Sequence, residues 1–103
     1  MNNTVVTQGD ALLREKLESL LAVTATAQQR VNDHLIALLV PERMIVLWKL
    51  KGGLAQLEKM LKTTLQRPSL AVSEAILDMV QSTEAVLNEV DQRLRLFDEE
   101  DLA

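Results

Sequence analysis

Two prolines and three apolar stripes constrain this chain more than any other feature. Pro41 and Pro68 divide the 103 residues into three stretches. In each stretch, apolar residues recur in alternating steps of three and four, the spacing of a helix face that packs on another helix. The first stripe is Leu13, Leu17, Leu20, Thr24, Ala27, Val31, His34 and Leu38, widened by Leu21, Leu35 and Leu39. The second is Leu47, Leu50, Leu54, Leu57 and Leu61, extended by Leu65. The third is Ile76, Val80, Thr83, Leu87, Val90, Leu94 and Phe97. The residue types agree with this period, since Leu and Ala abound and Tyr is absent, a helical preference and not a sheet preference.

The boundaries follow from local chemistry. Asp10 can cap a first helix over residues 10–39 by accepting from the free N–H groups of the first turn. Pro41 suits the first turn of a second helix over 41–66 and disfavours helical backbone at Val40. Ser69 can cap a third helix over 70–97. Gly52-Gly53 falls inside the second stripe without breaking its phase. A continuous helix is expected there, weakened by about 1 kcal/mol per glycine relative to alanine. A short turn, giving four helices, is the alternative.

Short connections place neighbouring helices antiparallel. The expected fold is therefore all-α: three long antiparallel helices in an up-down-up bundle with coiled-coil-like heptad packing. Residues 1–9 read as a flexible N-terminal arm, 10–97 as a single helical-bundle domain and 98–103 as an acidic C-terminal tail. In this topology Leu35–Val40, Met44–Trp48 and Leu94–Phe97 meet at one end. The tail, Asp98–Asp101, then falls near Arg43, Lys49 and Lys51.

Catalytic and metal chemistry finds little to work with. There is no cysteine, which removes thiolate chemistry, disulfides and Cys-based zinc sites, and which fits a reducing, cytoplasmic setting. The single histidine, His34, reads as a residue at the edge of the stripe. No Glu-x-x-His pair is present to build a carboxylate-bridged metal site. Gly52-Gly53 lacks the spaced glycines and Lys-Ser/Thr of a phosphate-binding loop. Glu74, Asp78, Glu84, Glu89 and Asp91 read as a solvated face. No catalytic residue, cofactor or metal is expected. No apolar run reaches the roughly 18 residues a spanning helix needs, so an integral membrane protein is not expected. The start of the chain lacks the basic and apolar segments of a signal peptide.

Two features remain as candidate binding surfaces. The net charge of −4 is uneven: residues 41–67 hold six basic groups and two acidic, whereas residues 68–103 hold two basic and nine acidic. Arg43, Lys49, Lys51, Lys59 and Lys62 form a candidate basic patch, most simply neutralised by the acidic third helix and alternatively open to nucleic acid. Secondly, residues 35–40 and 44–48 are apolar around most of the helix circumference, more than one buried stripe can absorb. Ile36, Leu39, Ile45, Val46 and Trp48 form the candidate interface, because exposed apolar patches mark contact sites and Trp recurs in binding hot spots. The chain thus reads as a non-enzymatic helical interaction module that self-associates, with a dimer favoured, or binds another helical protein as adaptor, regulator or chaperone-like binder. The alternatives are a nucleic-acid-associated regulator using the basic second helix, or a membrane-surface protein inserting the 35–48 tip.

Overall fold

The computed structural model describes residues 3–37, 39–68, 70 and 73–102. It is all-α, with helices α1 (Asn3–Ala37), α2 (Met44–Leu65) and α3 (Glu74–Leu102) and a short 3₁₀ turn over Pro41–Arg43. The molecule is elongated, 60 × 22 × 19 Å. Its length is close to the roughly 50 Å that a helix the length of α1 spans at 1.5 Å per residue. Helix α1 is the common partner: α2 and α3 each pack along it, and α2 and α3 make few close backbone contacts with each other.

The stripes read from the sequence are the buried ones. Leu13, Leu17, Leu20, Thr24, Ala27 and Val31 of α1, Leu47, Leu54 and Leu61 of α2, and Ile76, Val80, Thr83, Leu87, Val90 and Leu94 of α3 are buried. Leu50, Leu57, Leu65 and Phe97 pack against this core from its edges. His34 is half-buried, and Leu38 lies outside the described residues.

Several boundaries differ from expectation. Helix α1 begins at Asn3, so residues 3–9 extend the helix where a loose arm was expected, and Asp10 caps nothing. Its carboxylate instead accepts from Arg14 at 2.7 Å and from the Leu70 backbone N–H at 3.2 Å. Arg14 donates onward to the backbone carbonyls of Leu65, at 2.8 Å, and Arg67. These carbonyls lie at and beyond the C-terminus of α2, where helical partners run out. The Asp10–Arg14 pair therefore fastens the connection after α2 onto α1, and Leu70 is buried beneath it.

Val40 adopts the extended conformation that a following proline favours, at φ −128° and ψ 106°. Pro41–Arg43 form a 3₁₀ turn, closed by the Arg43 N–H donating to Val40 O at 3.0 Å, so the α-helix proper starts at Met44. Helix α2 runs unbroken through Gly52-Gly53, which settles the turn alternative against a fourth helix. Ser69 lies outside the described residues. The cap of α3 is Ser73, whose Oγ accepts the Ile76 N–H at 3.3 Å. Helix α3 continues to Leu102, so Asp98–Asp101 are its last turns and not a separate tail.

Candidate functional site

The apolar excess at the α1–α2 corner is exposed. Ile36 is 84% exposed, Ile45 69% and Trp48 55%, and Leu39 and Met44 are also exposed. Val46 is only half-buried, so it contributes part of its surface. The structure brings Ile36 of α1 and Trp48 of α2 to one open groove of about 460 Å³, floored by Leu35 and rimmed by Lys51. The Lys51 ammonium sits 4.8 Å from the centre of the Trp48 ring, a cation–π contact, and Trp48 stays exposed beside it. Gly52 follows Trp48 by one turn on the same outer face. A Cβ added at Gly52 or at Gly53 would meet no atom within 4 Å. Neither glycine is therefore required by packing inside this chain, although each weakens the helix. Leu39 stands apart from Ile36 and Trp48, beside His34, Val40 and Arg43.

The basic patch does not form as a unit. Arg43 leaves it altogether: it is 7% exposed. It donates to Asp101 and to Glu100, each at 2.8 Å, and lies 4.6 Å over the Phe97 ring. Burial opposes the Arg43 charge, but the bonds to Asp101 and Glu100 outweigh it and hold its pKa above the usual guanidinium value. Here the expected meeting of the chain's acidic end with Arg43 is realised. Lys49 and Lys51 do not share in it. Lys62 pairs with Glu58 on its own helix at 2.8 Å. That bond, followed by one with Gln28, holds the Glu58 pKa below its ordinary value. Lys49, Lys51 and Lys59 are exposed.

The expected neutralisation of the basic residues 41–67 by α3 is thus confined to Arg43, in the turn before α2. Three acidic residues of α3 pair with α1 instead, through Lys16–Glu84 at 3.6 Å, Arg30–Asp91 at 2.7 Å and Arg30–Asp98 at 3.5 Å. Arg93 and Arg95 pair with Glu89 and Asp91 within α3 itself. The reason is geometric: α3 lies along α1 and makes few close backbone contacts with α2.

Sequence reasoning missed the surroundings of His34. Its Nε2 is 2.9 Å from an Asp98 carboxylate oxygen, and its ring meets Phe97 edge-on at 5.8 Å. His34, Asp98 and Asp101 each offer one ligand atom within 4.8 Å of the others. The carboxylates are already engaged, however: Asp98 by Arg30 and Asp101 by Arg43. These guanidinium groups supply the positive charge that a cation would bring, and the arrangement is a charge network closed on itself. Its only prior signal was the placement of Arg30 and His34 one turn apart, opposite an acidic helix.

No helix among the described residues is long and apolar enough to cross a membrane. Compared with protein-family models, with curated proteins and with solved structures, the chain matches none of them.

Proposed function

We propose that this chain is a non-enzymatic helical interaction module of the cytoplasm, an up-down-up three-helix bundle with coiled-coil-like packing that self-associates as a dimer through the Ile36–Ile45–Trp48 face. The observation that carries the reading is the exposure of these three large apolar side chains on two adjoining helices. A lone bundle buries one stripe per helix, and these residues lie off the buried stripes. Apolar patches of this kind are covered in the working form of a protein. Trp48 supplies the anchor type favoured in hot spots, and Gly52 lets a partner helix approach the backbone closely. Two observations support the bundle: Arg14 near the start of α1 meets the end of α2, and the ion pairs 16–84, 30–91 and 34–98 advance together along α1 and α3. The non-enzymatic reading is supported by the His34 network, whose carboxylates are tied to arginines and not poised against a nucleophile.

Light scattering after size exclusion tests the proposal on wild type and on Ile45→Asp/Trp48→Asp. Both substituted side chains are exposed, so the variant is expected to keep its helical circular dichroism and to run as a monomer while wild type runs as a dimer. A monomeric wild type refutes self-association. Flotation of wild type with anionic liposomes, lost on Trp48→Asp, would instead assign the same face to a membrane surface.

A further inference from the structure

We propose that the groove between α2 and α3 is a second, separate docking site, and that its occupant is an acidic amphipathic helix from another protein. Helices α2 and α3 both pack on α1 and make few close backbone contacts with each other, and an open groove lies on the α2 side of their junction. It has a volume of about 430 Å³ and is lined by Lys59, Met60, Thr64 and Arg67 from α2 and its end, and by Met79 from α3. Across it the Thr64 hydroxyl lies 3.8 Å from the Met79 sulfur. Two methionines facing each other give an apolar floor that adapts to varied side chains, as in grooves that receive amphipathic helices.

The charge around the groove selects the occupant. Lys59 and Arg67 stand on its rim, and no acidic residue lines it. Neither forms an ion pair among the described residues. An apolar floor between unanswered cations fits a helix with an apolar stripe flanked by Glu or Asp. A second copy of this chain fits poorly. Its acidic helix, α3, has the stripe from Ile76 to Leu94 buried in its own core and cannot offer it. The groove shares no lining residue with the Ile36–Trp48 face, so the inference stands or falls independently of self-association.

The test uses a fluorescein-labelled helical peptide of about 20 residues with Leu at i, i+3, i+4 and i+7 positions and Glu on the flanks. A second peptide has the same Leu pattern and Lys in place of Glu. Anisotropy titrations are run on the full chain as wild type, Lys59→Glu/Arg67→Glu, Met60→Asp and Ile45→Asp/Trp48→Asp. The Glu peptide is expected to bind wild type and Ile45→Asp/Trp48→Asp alike, with affinity falling as salt is added. Lys59→Glu/Arg67→Glu weakens it by about tenfold or more, as does Met60→Asp, and the Lys peptide binds poorly. Equal binding of the two peptides, or no binding, overturns the proposal. So does loss of binding in Ile45→Asp/Trp48→Asp alone, which would place the peptide on the self-association face. A wild-type dimer dissociated by Lys59→Glu/Arg67→Glu would make the occupant a second copy. Competition by a random DNA duplex at lower concentration than the Glu peptide would make it nucleic acid. Either result also overturns the proposal.

Discussion

Replacing Thr83 by valine is expected to stabilise the protein. Thr83 and Thr24 are both fully buried, but they differ in one respect. The Thr24 hydroxyl donates to the Leu20 carbonyl at 2.8 Å, whereas the Thr83 hydroxyl has no hydrogen-bond partner among the described residues. A buried hydroxyl left unpaired costs about 1–3 kcal/mol. Valine nearly matches threonine in shape and helix propensity, and it replaces that hydroxyl by a methyl group suited to the surroundings. Thr83→Val should therefore raise stability by about 1–2 kcal/mol. For a chain of this size that raises Tm by about 5 °C or more. Thr24→Val is the internal control: it deletes a made hydrogen bond and is expected to cost up to about 1 kcal/mol. Urea and thermal unfolding, followed by far-ultraviolet circular dichroism at one fixed protomer concentration, compare the two. The reasoning is refuted if Thr83→Val is as destabilising as Thr24→Val, since the Thr83 hydroxyl would then have a partner in solution.

Leu94→Ala, at a fully buried position, should cost about 2–5 kcal/mol by urea unfolding. Gly52→Ala should add about 1 kcal/mol to the stability of the monomeric Ile45→Asp/Trp48→Asp background, while weakening self-association in the wild-type background. Because the Glu58 pKa is depressed in the folded state, its contribution is fully present above the unfolded carboxylate value and is lost as pH falls through the folded one. The stability gap between wild type and Glu58→Gln, measured by urea unfolding from neutral pH downward, should close across that acid range. Arg43→Met should speed amide hydrogen exchange in the last turns of α3, which Arg43 ties to the corner through Glu100 and Asp101.

The core was legible because helix period is a local property: steps of three and four identify a buried face before any partner is known. Each residue of the third stripe from Ile76 to Leu94 is buried for that reason. Helix ends were less legible. Asp10 has the chemistry of a cap, and only the return of the chain at Leu70 gives its carboxylate a different donor. Ser69 has the chemistry of a cap as well, yet the chain is buried at Leu70 and α3 is capped four residues later, by Ser73. Charge pairing was least legible. Composition suggested that α2 and α3 neutralise each other, but ion pairs form only where helices run side by side, and α3 runs along α1. Arg43 left the basic patch because the corner buries it against the Phe97 ring and the end of α3. The exposed apolar corner could be read in advance from an excess of apolar residues over available core positions. The α2–α3 groove could not, because it depends on which helix pair is left apart.

Trp48 is the only tryptophan in the chain, and it lies on the face assigned to self-association, so its fluorescence tests that assignment most directly. The emission maximum and iodide quenching are followed as the protein is diluted, with Ile45→Asp as the comparison. Burial of Trp48 between two copies predicts a shift to longer wavelength and stronger quenching on dilution, and a concentration-independent, fully quenchable signal in Ile45→Asp. An exposed, quenchable tryptophan in wild type at every concentration would contradict it.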